Sequence, residues 1–343
     1  MEYSIYDIAQ RAGVSKSTVS RVLNKGSVSE RSRAAVMRVL AETGYHPNQS
    51  ARTLRGAQSY VIGICAATAG AFLSPSATTR LAGIIGTLYE NGYSVLFVNE
   101  AQKPRGDVTP FSFLEQHMVD GLIFMQDIER PALRRAATEH REIVYTGERI
   151  LPDKGLRIYM GNYDYSQVLY RHLMERGHRR VLTLMMRLRR QIGRKRRYEA
   201  YADTCAEYGT APEPESFVTY ESSQGGEAAL ESVYTLFVQG GYTAVFFDDL
   251  LFANSVQAYF MQKGMRPGKD FSFVAIERGA QKLLQTGGIT SVVLPDYEYG
   301  KTAAQMLLRA LEDPKLDYLD VQLPFQLQDR HSVAWLPPAE QKE

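Results

Sequence analysis

The sequence has few cysteines and no long apolar run. Its 343 residues include two cysteines, Cys65 and Cys205, too few for a disulfide framework or a multi-cysteine zinc site. No apolar run reaches the roughly 18 residues that span a bilayer. The first residues also lack a basic segment followed by an apolar core, so no secretion signal is predicted. These absences favour a cytoplasmic protein that is not embedded in a membrane.

Common catalytic motifs are missing as well. The sequence contains no P-loop, no Gly-x-Ser-x-Gly elbow and no His-Glu-x-x-His motif, and its six histidines are scattered. The acidic pair Asp248–Asp249 has the chemistry that a hydrolase uses, but nothing nearby supplies the rest of such a site. We therefore expect no catalytic residue, no metal site and no cofactor. Turnover of a bound molecule would support the enzyme alternative.

Basic residues are concentrated near the N-terminus. Residues 1–56 carry nine basic and four acidic side chains, whereas the remainder carries 31 basic and 34 acidic ones. The chain is long enough for two or three domains, and its 44% apolar and 23% charged residues are typical of a globular protein. The N-terminal segment, residues 1–56 (the head), is basic, and the remainder, residues 57–343 (the body), is slightly acidic. This division indicates that the head binds a polyanion.

The head has the pattern of a helix-turn-helix. Ser4 and Ser15 each precede a short helical pattern, and Gly13 between them permits the left-handed backbone of a tight exit. A third helix is predicted from Ser29 to about Gly44. In this motif the second helix enters the major groove of DNA by its N-terminal end.

The head closely resembles that of the lac/gal repressor family. The matching helix motifs are Tyr6-Asp7-Ile8-Ala9, Ala12-Gly13-Val14-Ser15 and Thr18-Val19-Ser20-Arg21-Val22-Leu23-Asn24, and the matching hinge motifs are Gly44-Tyr45-His46-Pro47-Asn48 and Ala51-Arg52-Thr53-Leu54-Arg55-Gly56. The resemblance implies a LacI-type transcriptional repressor. Such a protein binds a pseudo-palindromic operator in double-stranded DNA as a homodimer, whose contact surface is the first half of the body.

Five head residues are predicted to contact DNA. Lys16, Ser17 and Arg21 match the family's base-reading positions, and lysine and arginine suit the acceptors of guanine. Thr18 and Ser20 are expected on phosphates, which position the head without reading sequence.

The hinge resemblance adds Asn48, Ala51 and Leu54 as DNA contacts. Asn48 follows Pro47 and is expected to cap a hinge helix. Leu54 matches the leucine that wedges into the minor groove at the operator centre, where an apolar side chain unstacks a base step. The alternative for Leu54 is a core position in a short helix.

The body alternates strand and helix patterns. The predicted strands are Tyr60–Cys65, Tyr93–Val98, Asp120–Met125, Ile143–Thr146, Ile158–Met160, Arg180–Met185, Thr243–Phe247, Phe271–Ile276 and Ile289–Val293. The predicted helices are Thr79–Asn91, Tyr165–Arg176, Arg194–Glu207, Leu250–Lys263 and Tyr297–Leu311. Alternation predicts parallel sheets covered on both faces, and a ligand between two such sheets at the carboxyl ends of their strands.

The predicted fold is therefore a small all-α helix-turn-helix head plus an α/β body of two doubly wound parallel-sheet subdomains. The body is similar to the family's ligand-binding core, which resembles periplasmic sugar-binding proteins. The resemblance implies a head at 1–46, a hinge at 47–58 and an effector-binding and dimerisation core at 59–343. Within the core, the N-subdomain takes 59–160 with 294–325, and the C-subdomain takes 161–293 with 326–338.

Four residues are predicted to bind the effector. Arg197 matches the family arginine that binds effector hydroxyls, and its planar fork suits paired oxygens. Asp248 follows a predicted strand, at a position where relatives have Asn. Glu277 comes at the end of another, where relatives often have Asp. Arg149 is expected to enter the ligand cleft from the hinge side. Asp248 and Asp249 have an alternative role as caps of the next helix.

The effector implied by the resemblance is a sugar or sugar phosphate, and the regulated genes are those of carbohydrate use. Phosphate binding is suggested by one unusually basic run, for which a solvated loop is the alternative. Its members are Arg187, Arg189, Arg190, Arg194, Lys195, Arg196 and Arg197. The effector is expected to act in one of two directions, releasing DNA binding or strengthening it.

Overall fold

The computed structural model describes ten stretches of the chain. They are residues 3–23, 26–45, 58–72, 74–99, 109–126, 140–148, 155–186, 192–220, 226–278 and 288–337. The predicted DNA contacts Asn48, Ala51 and Leu54 lie outside them, and so do Arg149 and the first three members of the basic run. The chain divides into two compact units, 1–59 and 60–343.

The first unit is a three-helix bundle with the predicted helix-turn-helix order. Its helices are α1 (Ile5–Ala12), α2 (Lys16–Leu23) and α3 (Glu30–Thr43). Ser4 and Asp7 form a reciprocal cap at the start of α1, and Gly13 ends it with a φ of 64°. The core is formed by one apolar face of each helix, with the buried residues Ile8, Ala9, Val19, Val22, Val36 and Val39.

Within the described residues the second unit contains two sheets of six strands each, where two doubly wound parallel sheets were predicted. The first sheet is built from β1 (Val61–Ala66), β2 (Ser94–Asn99), β3 (Gly121–Phe124), β4 (Ile143–Thr146), β5 (Gly155–Tyr159) and β11 (Tyr318–Gln322). The second is built from β6 (Val181–Met186), β7 (Phe217–Tyr220), β8 (Ala244–Phe247), β9 (Ser272–Arg278), β10 (Thr290–Leu294) and β12 (Gln326–Gln328).

Both sheets are doubly wound. The strand orders are β11-β5-β4-β3-β1-β2 and β12-β10-β9-β8-β6-β7. All neighbours in the first sheet are parallel. In the second sheet only β12 runs antiparallel, against β10. Parallel pairing gathers the carboxyl ends of the strands at one edge of each sheet, where open α/β sheets bind ligands.

Helices lie between the strands along the chain. They are α4 (Pro75–Glu90), α5 (Pro110–Glu115), α6 (Asn162–Glu175), α7 (Ile192–Glu207), α8 (Glu227–Gln239), α9 (Leu250–Gln262) and α10 (Asp296–Glu312). The first of them begins earlier than predicted because Ser74 caps it, accepting a hydrogen bond from the backbone N–H of Ala77, and proline fits the first turn. No helix in these ranges has the length and apolar character that a bilayer crossing requires.

In the described residues the chain passes between the two sheets three times. It crosses from β5 to α6 at residues 160–161, from β10 to α10 at Pro295, and from β11 to β12 at residues 323–325. Although α10 follows a strand of the second sheet, it packs on α4 and on β3, β4 and β5 of the first. These crossings therefore connect the two halves of the second unit beside their ligand-binding edges.

Candidate nucleic-acid interface and ligand cleft

The N-terminal turn of α2 carries a cluster of hydroxyl groups. Ser15 Oγ accepts a hydrogen bond from the backbone N–H of Thr18 at 3.1 Å. It also lies 2.7 Å from Ser17 Oγ and 2.8 Å from Thr18 Oγ1. The cluster fixes the start of the helix, because it satisfies a backbone donor that has no partner within the helix.

The predicted DNA-contacting side chains lie away from the buried face of α2. Ser17 and Arg21 are exposed, whereas Lys16, Thr18 and Ser20 are half-buried. The ammonium of Lys16 donates a 2.8 Å hydrogen bond to the Tyr6 hydroxyl and lies 4.2 Å from the centre of that ring. Tyr6, which is exposed and was not predicted as a site residue, therefore holds Lys16 at the surface.

Arg197 is the centre of the candidate ligand site. It lies on α7, is 4% exposed, and donates through Nη2 to the Tyr165 hydroxyl at 2.8 Å. Burial opposes its charge, but Tyr165, Asp248 and Glu148 outweigh burial and raise the pKa of Arg197. Because Glu148 follows β4 and Asp248 follows β8, this arginine lies where the carboxyl edges of the two sheets meet.

Asp248 is oriented by two hydrogen bonds. Its carboxylate accepts from the backbone N–H of Met186 at 2.9 Å and from the Tyr220 hydroxyl at 3.0 Å. Burial raises the pKa of Asp248 and the Arg197 charge opposes that effect. The Tyr220 ring stacks on Phe252 with centroids 4.1 Å apart, so an aromatic surface lies beside the carboxylate.

Asp249 takes the capping role that was the alternative for this acidic pair. It precedes α9, and its side chain accepts a 2.9 Å hydrogen bond from the backbone N–H of Phe252. The two neighbouring carboxylates therefore have different structural roles. Asp249 starts the helix, and Asp248 is held by Met186 at the end of β6 and by Tyr220.

Glu277 is buried at the end of β9 and already has partners. Its Oε2 accepts from Ser291 Oγ at 2.7 Å and from Arg330 Nη2 at 2.7 Å. Arg330, which follows β12, was not predicted because 53 residues separate it from Glu277. The ion pair neutralises Glu277, so this carboxylate offers a ligand less charge than the sequence suggested.

Several buried polar atoms at the ligand-binding edges have no hydrogen-bond partner among the described residues. They are Gln126 Nε2, Tyr145 Oη, Thr146 Oγ1 and Arg197 Nε. The first three lie at the ends of β3 and β4 and were missed by the sequence analysis. Buried polar groups are nearly always hydrogen-bonded, so these four atoms are candidates for contact with a bound molecule.

The described part of the basic run turns away from this site, apart from Arg197. Lys195 and Arg196 pair with Glu199 on the surface of α7. Arg194 donates to the carbonyl oxygen of Phe217. For these three residues the geometry favours a solvated face over a phosphate-binding edge. In the part of the chain that the structure describes, no group of His, Cys, Asp and Glu is arranged to hold a metal ion.

Three family profiles match the chain. "Bacterial regulatory proteins, lacI family" matches residues 4–48, and "Periplasmic binding protein-like domain" matches residues 170–333. "Periplasmic binding proteins and sugar binding domain of LacI family" matches residues 74–245, half of the chain. The first match covers the helix-turn-helix, and the other two cover most of the α/β unit.

Relatives match along nearly the full length. The chain is 28% identical over 349 residues to the HTH-type transcriptional regulator DegA of Bacillus subtilis (strain 168), covering 97% of this chain and 99% of DegA. It is 26% identical over 336 residues to the HTH-type transcriptional repressor PurR of Erwinia tasmaniensis, covering 96% and 97%.

Solved structures share the fold. A lac repressor dimer bound to operator and the anti-inducer ONPF superposes with a TM-score of 0.80 at 22% identity, covering 97% of this chain and 100% of that one. The complex of the transcriptional regulator CelR with cellobiose has a TM-score of 0.65 at 20% identity, covering 96% and 100%.

Proposed function

Because this chain belongs to the LacI family of bacterial regulatory proteins, we propose that it represses transcription from a pseudo-palindromic operator, under the control of a sugar or sugar phosphate. It is a DNA-binding regulator rather than an enzyme. In this proposal it acts in the cytoplasm as a homodimer, on genes of carbohydrate use.

The DNA-binding part of the proposal rests on α2. Ser17 and Arg21 are exposed at its surface, and Lys16 is held beside them by Tyr6. Lysine and arginine donors match the guanine acceptors in the major groove, and Thr18 and Ser20 suit phosphate contacts. The hinge contacts Asn48, Ala51 and Leu54 remain part of the proposal on the basis of the sequence resemblance.

The homodimer is supported by apolar side chains exposed on the first half of the α/β unit. Tyr89 on α4 is 80% exposed and Phe97 on β2 is 51% exposed, with Ile85 and Met118 also at the surface. β2 is an edge strand of its sheet. Exposed apolar groups at an unpaired edge are typical of a surface that a second copy covers. Two heads held in this way match a pseudo-palindrome.

The effector part of the proposal is carried by the buried Arg197 beside Asp248 and unpartnered polar atoms. An arginine fork and a carboxylate bind the hydroxyls of a sugar, and the Tyr220 ring offers an apolar face beside them. Relatives of this fold have been solved with cellobiose and with ribose. In this proposal Glu277 contributes to effector binding through its ion pair with Arg330. Arg149 contacts the effector from the hinge side. A phosphorylated sugar stays a proposal that rests on the sequence of Arg187, Arg189 and Arg190, which lie outside the described residues.

Operator selection from random duplex DNA tests the proposal. The selection is run alone and with ribose, cellobiose, glucose or glucose 6-phosphate. We expect a palindromic consensus whose retention one of these compounds changes. Arg197→Ala should abolish that response and keep the consensus. Arg196→Ala is the matched control, because its side chain pairs outward with Glu199.

Either part of the proposal can fail separately. If no duplex is selected under any condition, the head has no operator. If a duplex is selected but Arg197→Ala responds as the wild type does, the site is misplaced. Tighter binding of glucose than of glucose 6-phosphate would reject the phosphorylated effector.

A further inference from the structure

A buried ion pair joins α4 to the first turn of α10. Arg80 Nε lies 2.7 Å from Asp296 Oδ1, and the two side chains are 17% and 0% exposed. Neither residue belongs to the proposed DNA surface, and neither is among the predicted effector contacts. Removing two charges from water is costly, and apolar residues of similar volume often replace such a pair without loss of stability. Stability alone therefore does not account for it.

The pair lies in a tightly packed part of the fold. The Arg80 guanidinium stacks 4.4 Å from the centre of the Tyr299 ring, and the Tyr299 hydroxyl donates to the carbonyl oxygen of Ile158 at 2.8 Å. Next to it, α4 and α10 meet backbone to backbone, because a Cβ on Gly83 or Gly300 would overlap the facing main chain. The pair thus joins α4 to α10, and Tyr299 joins α10 to the end of β5.

Tyr165 connects this pair to the candidate effector site. It accepts the hydrogen bond from Arg197, and against the opposing effect of burial it adds, after Asp296 and Tyr299, to the raised pKa of Arg80. Its ring also packs edge-on against Phe325, at 6.1 Å between centroids. Tyr165 lies in the first turn of α6, just after the crossing at 160–161, and Phe325 lies in the crossing at 323–325. Asp296 follows the remaining crossing at Pro295, so the contacts reach all three.

One atom of the pair is left unsatisfied in this arrangement. Asp296 Oδ2 is buried and has no hydrogen-bond partner among the residues that the structure describes. A buried carboxylate oxygen without a donor is costly. A donor brought to this oxygen by a different arrangement would remove that cost.

We propose that Arg80 and Asp296 are positioning residues that couple the occupancy of the Arg197 site to the arrangement of the three crossings between the two halves. The inference rests on the proposed function, since the coupled response is the effect of a sugar on operator binding. The pair does not bind the sugar itself. It acts through Tyr165 and through the contact between α4 and α10.

The test compares apolar replacements of two Arg–Asp ion pairs in the full chain. Arg80→Met with Asp296→Val removes the proposed coupling pair. Arg157→Met with Asp320→Val is the matched control, because that pair also stacks its guanidinium on a tyrosine but joins β5 to β11 within one sheet. Amide hydrogen exchange of both variants is measured without DNA or sugar.

We expect the first variant to exchange at least about threefold faster than the wild type at residues 160–162, 296–297 and 323–325, while the core strands stay protected. The control should change exchange at β5 and β11. Wild-type exchange at all three crossings in the first variant would overturn the proposal. Arg80→Lys, which keeps the charge but not the flat stacking on Tyr299, should restore most of the protection.

The second readout is the coupling itself, measured as the ratio of duplex affinities with and without the responding compound among ribose, cellobiose, glucose and glucose 6-phosphate. In the wild type we expect this ratio to lie in the usual range of about 5 to 150. In the first variant it should fall to within about twofold of one, and in the control variant it should stay at the wild-type value. A merely structural pair would lower stability and leave the ratio unchanged. If the wild type binds no duplex, the proposed function fails, and hydrogen exchange still decides the role of the pair.

Discussion

Individual residues show what chemistry can be assigned from type and position alone. Arg197 was predicted as an effector contact from its place in a motif, and the structure places it buried at the junction of the two sheet edges. Its role as an effector contact stays a prediction. The partners that orient such a residue were not predictable, because Tyr165 and Glu148 come near it only through the tertiary fold. The same holds for Arg330, which neutralises Glu277 from a distant part of the chain.

At the residue scale, Arg21→Ala should weaken binding to the selected operator by about 1–3 kcal/mol and relax one base preference, as expected when a bidentate contact is lost. The measurement is a titration with the consensus duplex and its single-base variants. Arg38→Ala is the control of equal charge, because Arg38 pairs with Glu42 on the surface of α3. An unchanged base preference in the Arg21 variant would remove it as a base reader.

Helices and strands differ in how clearly the sequence pattern predicts them. Each of the nine predicted strands overlaps an observed one, whereas β7, β11 and β12 were missed. All three lie at sheet edges, as the strand orders show. An edge strand is covered on fewer sides, and β11 alternates exposed and half-buried residues instead of forming an apolar run. The helices α5 and α8 were missed as well.

At the contact between α4 and α10, glycine permits the close approach of the two helix backbones. Gly300→Ala should lower the free energy of unfolding by about 3 kcal/mol, because the new Cβ would overlap the carbonyl oxygen of Arg80. Gly86 lies on the same helix as Gly83 but a Cβ there meets only the Tyr297 hydroxyl, at 3.9 Å. Gly86→Ala should therefore raise stability by about 0.4–1 kcal/mol. Urea unfolding of both variants checks this, and equal losses would contradict close helix packing.

The whole molecule combines a small DNA-binding unit with a larger α/β unit whose halves share three crossings. The sequence pattern predicts the two sheets, since apolar runs alternate with helical periodicity. It does not show that α10 leaves the second sheet to pack on the first, or that Arg80 meets Asp296 there. Those pairings depend on distances across the fold.

At this scale Phe97→Glu should shift the protein from dimer to monomer and weaken operator binding at least about tenfold, because a charge on the edge strand opposes burial against a second copy. Sedimentation velocity at micromolar concentration measures the assembly. Trp335→Glu is the control, since Trp335 is 73% exposed but lies on the second half of the unit. A dimer that persists in the Phe97 variant would place the interface elsewhere.

The sequence by itself determined the helix-turn-helix, the alternation of strands and helices, and the family resemblance that places Lys16, Arg21 and Arg197. These depend on local periodicity, capping and motif spacing, which are properties of neighbouring residues. The tertiary structure decided that Asp249 caps a helix while Asp248 is bound by Met186 and Tyr220, and that Lys195 and Arg196 turn outward. It also decided that Arg80 pairs with Asp296. Such choices depend on burial and on partners far along the chain, because a charged group buried in a fold is retained only where a partner or hydrogen bond compensates its lost water.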